Sequence, residues 1–166
     1  MEYITLGKTN LRVSRLGFGG IPIQRINADE AKVLLDAVHK AGINYIDTAR
    51  GYTVSEELIG QAIEGRRKDF ILATKSMARD KEGMAKDIEI SLKNLRTDYI
   101  DIYQVHNPSA EQLAQVCAEG GALEALREAK AAHDALEAVY NPYVDFDGVR
   151  ALAALEAGRL LSWMNK

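Results

Sequence analysis

Residues 43–52, Ile43-Asn44-Tyr45-Ile46-Asp47-Thr48-Ala49-Arg50-Gly51-Tyr52, decide how this chain is read. A short run of strand-forming residues closes on an aspartate, and a glycine-containing loop then carries a tyrosine toward helical sequence. That helix is expected to open at Thr53, with Glu56 in the capping-box position. The unit repeats on both sides. Upstream, Leu16-Gly17-Phe18-Gly19-Gly20 reads as a strand entering a glycine loop. A helix capped by Asn27 follows, with Glu30 completing a capping box and Leu34, Leu35 and Val38 as its apolar stripe. Gly42 ends that helix just after His39 and Lys40, which suit a helix C-terminus. Downstream, Phe70-Ile71-Leu72-Ala73-Thr74-Lys75 precedes a helix with Met84, Ile88, Leu92 and Leu95 on one face. A fourth strand, Tyr99 to His106, leads through Asn107-Pro108 into helical sequence that includes Leu123 and Leu126.

Four strand–helix units in series predict an α/β fold with a parallel sheet and right-handed crossovers. Residues 3–14 predict a preceding hairpin, Tyr3-Ile4-Thr5 and Leu11-Arg12-Val13 around the turn Gly7-Lys8-Thr9-Asn10. Residues 133–166 break the rhythm. Asn141-Pro142 marks a turn and 148–163 could form a short apolar helix, so 1–132 is read as the strand–helix domain and 133–166 as a divergent tail packed on it.

Composition narrows the function. The chain has 166 residues, 47% apolar and 27% charged, enough for one soluble globular domain. A net charge of -3 with interspersed signs offers no basic surface for nucleic acid. The single cysteine, Cys117, rules out an internal disulfide and a cysteine-based metal or iron–sulfur site within these residues. A reducing cytoplasm fits. No basic leader and no run of about 18 apolar residues occurs, so neither export nor membrane insertion is expected.

Three of the four strands end in a residue that a buried strand should avoid: Asp47, Lys75 and His106. In a parallel barrel the C-terminal strand ends open onto one face, where these side chains would converge. Alternation places Ile71, Ala73 and Lys75 on one face of their strand, and Ile100, Ile102, Gln104 and His106 on one face of theirs. Tyr52, five residues beyond Asp47, can reach the same spot. A phenol titrates near 10, so a tyrosine that exchanges a proton near neutrality needs a neighbouring cation. Lys75 could be that cation, Asp47 could orient it, and His106 could polarise a substrate oxygen or relay a proton. Singly, each residue has a plain structural explanation: a helix cap for Asp47, a solvated strand end for Lys75, a surface aromatic for Tyr52, a satisfied core histidine for His106.

Other signals are weaker. Gly17-Phe18-Gly19-Gly20-Ile21-Pro22 has Pro22 where a dinucleotide fingerprint needs its third glycine, and no Tyr-x-x-x-Lys pair occurs. His39 and His133 read as surface residues, Cys117 as structural, Asp98 and Asp101 as loop and helix contacts, and Arg66-Arg67-Lys68 as a solvated turn.

Five segments, in order and in register, resemble the aldo-keto reductase family over roughly residues 3–132. They are Leu6-Gly7-Lys8-Thr9, Val13 through Gly20, Ile46 through Tyr52, Ala73-Thr74-Lys75 and Asp98 through Asn107. The resemblance implies a partial TIM barrel in which Tyr52 is the general acid toward a carbonyl, Lys75 and Asp47 its electrostatic support, and His106 the orienting partner. It implies a nicotinamide cofactor, usually NADPH, along an edge made by Gly19, Gly20, Ile21, Asp47 and Asn107, and a small aldehyde or ketone as substrate. Members of the family complete eight units in about 250 residues or more. This chain supplies four, and the family's amide-binding, stacking and phosphate-clamping residues of the later strands have no counterpart. The chain therefore reads as truncated. An open half barrel exposes two sheet edges, which predicts a homodimer covering the open face or a tail folded over it. The functional expectation is an NAD(P)H-dependent reductase, with a non-catalytic binding or assembly subunit as the alternative.

Overall fold

The computed structural model describes residues 1–140. Strands β1 (Tyr3–Thr5) and β2 (Arg12–Ser14) pair antiparallel, forming the hairpin that the turn residues predict. The strand–helix series then runs β3 (Gly17–Gly19), α1 (Ala28–Lys40), β4 (Tyr45–Asp47), α2 (Ser55–Ala62), β5 (Ile71–Ser76), α3 (Lys81–Asn94), β6 (Ile102–Val105), α4 (Ala110–Cys117) and α5 (Ala122–Tyr140). Short 3-10 turns at Ile21–Arg25 and Arg67–Asp69 fill two of the connections. The four parallel strands lie in the order β3-β4-β5-β6, so chain order is spatial order, as in one arc of a barrel. Among the described residues, β3 and β6 are the edges of this sheet. The strands are shorter than the apolar runs suggested: Ile43, Phe70 and residues 99–101 lie outside them, and Asn44 precedes β4 although its carbonyl accepts the Ile71 N–H. The turn at Asn141-Pro142 and most of the tail expected at 133–166 lie outside the described residues.

Helix α1 starts as its sequence dictates. The Asn27 side chain accepts the Glu30 N–H at 3.0 Å, and the Glu30 carboxylate accepts the Asn27 N–H at 2.9 Å. Gly42, at φ +79°, closes the helix in the left-handed region. Its buried stripe is Ala31, Leu35 and Val38; Leu34, expected in that stripe, is instead 37% exposed, because a turn of 3.6 residues carries it off the face.

Helix α2 corrects another expectation. It begins at Ser55, and no side chain caps it. Thr53 sits at φ +41° and donates its hydroxyl to Gln24 Oε1 at 2.7 Å, while Glu56 turns inward instead of back to a cap. The helical sequence expected after Pro108 forms two helices, separated at residues 118–121.

Two apolar clusters pack against the outer face of the sheet. One gathers Leu35, Ile46, Ile59, Ile63, Phe70 and Leu72 from α1, α2, β4 and β5 and their flanks. The other gathers Met84, Val116, Ala122 and Ala125, with Tyr103 and Val105 of β6 against it. Beneath the sheet, Arg67 is far from a solvated turn residue. Its side chain is 12% exposed, bonds Asp101 Oδ2 at 2.6 Å and the Phe70 carbonyl at 2.7 Å, and lies 4.0 Å from the Tyr99 ring centroid. Arg66 pairs with Asp36. His133 is half-buried and stacks on Tyr99, so it too departs from the surface reading.

Candidate active site

Register decides which side chains share the inner face of the sheet. Gly19, Asp47, Ala73 and Ile102 form one row, and Lys75 and Gln104 the next row toward the strand ends. Asp47 and Lys75 therefore meet diagonally. Lys75 Nζ donates to Asp47 Oδ2 at 2.6 Å and to the Thr48 carbonyl at 2.8 Å, with only 12% of the lysine side chain exposed against 36% of the aspartate. A largely buried ammonium is thus held by one full and one partial negative charge.

The loop after β4 folds back over this pair. Thr48 N–H donates to the Ala73 carbonyl at 2.8 Å and Arg50 N–H to the Lys75 carbonyl at 2.9 Å, extending the β4–β5 ladder past the last paired residue of β4. Tyr52 follows, its ring centroid 5.0 Å from Lys75 Nζ. His106, just beyond β6, meets the Tyr52 ring edge-on, with centroids 5.7 Å apart and planes at 86°. Its backbone is anchored twice: the N–H donates to the Ser76 carbonyl at 2.7 Å, and Arg79 Nη2 donates to its carbonyl at 2.8 Å. Among the described residues, the buried His106 Nδ1 has no hydrogen-bond partner. Burial and the nearby Lys75 and Arg79 cations push the imidazole below its ordinary value, against the opposing pull of Asp47. Burial and the Asp47 carboxylate push the neighbouring Tyr45 phenol up, so that tyrosine keeps its proton.

The four residues singled out at the strand ends and in the Tyr52 loop are thus brought together. The five edge residues divide. A Cβ on Gly19 would meet nothing within 4 Å, so the space above it is open beside Asp47. Gly20 is required by the fold itself. Its N–H donates to the Asp47 carbonyl at 2.7 Å, its carbonyl accepts the Ser55 hydroxyl at 2.9 Å, and a Cβ there would lie 2.9–3.1 Å from Ser55, Asp47 and Thr48. Ile21 is 54% exposed on the rim beyond β3, and Asn107 is exposed with φ +43° directly after His106. Gly19 lies beside Asp47 on the β3 edge, whereas Asn107 follows β6 at the opposite edge of the described sheet. A separate groove runs along β6, lined by Ile88, Leu92, Ile102, Leu113, Leu123 and Leu126, away from the Tyr52 loop.

Sequence reasoning gave no role to Arg79, Arg50 and Asp87, which contact these strand ends and the Tyr52 loop; Arg50 lies within the quoted Ile46–Tyr52 segment, but its proximity to Asp87 is visible only in the fold.

Against known proteins, residues 15–138 match the model of the aldo/keto reductase family. Aldo-keto reductase YhdN of Bacillus subtilis is 36% identical over 142 residues, which cover 72% of this chain and 43% of that protein. A probable voltage-gated potassium channel subunit beta of rice (Oryza sativa subsp. japonica) is 33% identical over 126 residues, covering 66% of this chain and 38% of that protein. Among solved structures, the holo form of aldo-keto reductase AKR11C1 from Bacillus halodurans superposes with a TM-score of 0.62 at 34% identity, over 72% of this chain and 47% of that one. The chain therefore spans about two-fifths of the length of the curated relatives it matches.

Proposed function

Because this chain belongs to the aldo-keto reductase family, we propose that it performs the proton-transfer half of an NAD(P)H-dependent reduction of small aldehydes or ketones. The observation that carries the reading is the Lys75 ammonium, fixed by Asp47 and the Thr48 carbonyl and set 5.0 Å from the Tyr52 ring. An alkoxide forming beside Tyr52 takes the phenolic proton, and the charge left on the phenolate lies next to a cation that cannot swing away. Preorganisation is the contribution of Asp47: its carboxylate holds Lys75 in place before any substrate arrives. His106, with its basicity lowered, stays neutral at physiological pH and offers a ring nitrogen to the carbonyl oxygen. The bound nicotinamide would supply the hydride, and Gly19, Asp47 and Asn107 would line its site.

NADPH titration followed by nucleotide fluorescence tests the reading. The full chain is expected to bind, and Tyr52→Phe to keep binding while losing carbonyl reduction. No binding at high micromolar NADPH would sink the enzyme reading for this chain. The potassium channel relative, described as a subunit, favours a second reading in which the chain binds or assembles without turnover. Cofactor binding with no turnover of any short aldehyde, in wild type and Tyr52→Phe alike, would select it.

A further inference from the structure

Between the outer face of the sheet and helices α2 and α3 runs a seam of polar side chains where apolar packing is the rule. β5 turns Thr74 and Ser76 to this side, and both are fully buried. Thr74 Oγ1 donates to Glu56 Oε1 at 2.8 Å, and Asn94 Nδ2 donates to Glu56 Oε2 at 3.2 Å. Ser76 Oγ donates to Asp87 Oδ2 and accepts the Ala78 N–H at 2.9 Å. The other oxygen of Asp87 faces Arg50 Nε at 3.7 Å, with the two side chains only 26% and 29% exposed. Charged groups in such a place cost desolvation that well-packed aliphatic residues would avoid, so their contribution is better sought in position than in stability.

The position they fix is that of the Tyr52 loop. The Arg50 N–H to Lys75 carbonyl bond ties the loop to β5 at one point, about which it could still pivot, and Gly51 follows immediately. The Arg50 side chain adds a second, electrostatic contact: its buried Nε makes no hydrogen bond among the described residues but lies 3.7 Å from Asp87 of α3, which in turn accepts from Ser76, the residue after Lys75. One backbone bond and one charge contact at different points of the loop oppose that pivot.

We propose that the Arg50–Asp87–Ser76 relay is a positioning device that holds the Tyr52 ring in register with Lys75 and His106. The three are positioning residues, acting through the loop and the strand end. The purpose of the device rests on the reductase reading, whereas its geometry can be tested without cofactor or turnover. The perpendicular contact of Tyr52 with His106 gives the readout, because the tyrosine ring current shifts the His106 imidazole C–H resonances by an amount that depends on the placement of the two rings.

The test uses the full chain, with His106 assigned by a His106→Gln variant and Tyr52→Leu marking the resonance position without the ring. In Arg50→Met and in Ser76→Ala the His106 signals are expected to move toward the Tyr52→Leu position, while Arg50→Lys, which keeps a cation beside Asp87, stays near wild type. Where turnover is measurable, kcat for Arg50→Met falls roughly 10²-fold, the scale of an ångström-sized misplacement, with NADPH affinity unchanged. Wild-type His106 signals in both Arg50→Met and Ser76→Ala would overturn the proposal even if turnover fell. Lack of turnover in the wild-type chain defeats the reductase reading and leaves the resonance test intact. If Arg50→Met does not fold, Ser76→Ala decides alone.

Discussion

Gly60→Ala sets two physical effects against each other with opposite signs. Gly60 lies in helix α2, where replacing glycine by alanine ordinarily stabilises by about 1 kcal/mol through helix propensity. Here the helix presses on the last turn of α3. A Cβ at Gly60 would sit 2.6 Å from the Leu95 carbonyl carbon and 2.7 Å from Leu95 Cα, with the Asn94 carbonyl oxygen closer still. Ordinary contact begins at 3.4 Å, so the two helices must part by roughly 1 Å, and the obstacle is backbone that no rotamer change can move. Over-packing of this kind costs about 1–3 kcal/mol. The separation also pulls Asn94 from Glu56, adding about 1 kcal/mol for a weakened hydrogen bond. Less the propensity gain, the net is a destabilisation of about 1–3 kcal/mol. With a urea slope of about 2 kcal/mol/M, the unfolding midpoint should fall by roughly 0.5–1.5 M. An unchanged or raised midpoint would show that the helices have room to spare and would refute the close-packing account.

Further outcomes concern the site itself. Tyr52→Phe should abolish carbonyl reduction and leave the NADPH fluorescence titration unchanged, so residual turnover in that variant would show another proton donor. Asp47→Asn leaves the Lys75 ammonium, 12% exposed, with neutral carbonyl oxygens in place of its carboxylate counter-charge, and should lower stability by about 1–3 kcal/mol in urea melts. Lys75→Met should cost less, because the Asp47 carboxylate it strands is 36% exposed and can hydrate; the reverse ranking would contradict the burial asymmetry. His106 has a folded-state pKa below its unfolded value, so the unfolded chain binds its proton first as pH falls. Its contribution to stability is fully present above about pH 6.5 and is lost as pH falls through the folded-state value. His106→Gln should remove that part of the acid dependence, which midpoints measured at neutral pH and at roughly pH 5 would reveal.

Periodicity made the site legible and hid its supports. Asp47, Lys75 and His106 could be placed from sequence because strand alternation and parallel connectivity together fix which face and which end each occupies. Asn27 and Gly42 were legible because capping is local, settled by residues within one turn. Glu56 misled for the converse reason. Three residues after Thr53 it satisfies the capping-box spacing, yet Thr74, 18 positions away, holds its carboxylate inside the fold. Arg67 stands in a basic triplet that resembles a solvated turn, and partners 30–34 residues on, Thr97, the Tyr99 carbonyl and Asp101, draw it beneath the sheet. Arg50 and Asp87 lie 37 positions apart in no repeating pattern, so nothing short of the fold announces them.

The two apolar clusters on the outer face draw on different strands, β4 and β5 for the first and β6 for the second, and the site spans both. Asp47 and Lys75 lie on strands of the first cluster and Tyr52 on the loop between β4 and α2, whereas His106 follows β6, whose Tyr103 and Val105 pack against the second. Helix α3 serves both clusters, with Met84 in the second and its cap Leu95 in the first, but α4 belongs to the second alone, so an opening of α4 and β6 that leaves α1, α2 and β5 closed would show as earlier amide exchange in the former. In such an opened state Lys75 and Asp47 remain paired but the histidine has left. The four residues are then a reporter of docking between two cooperative units, complete only while both halves of the sheet are closed on one another.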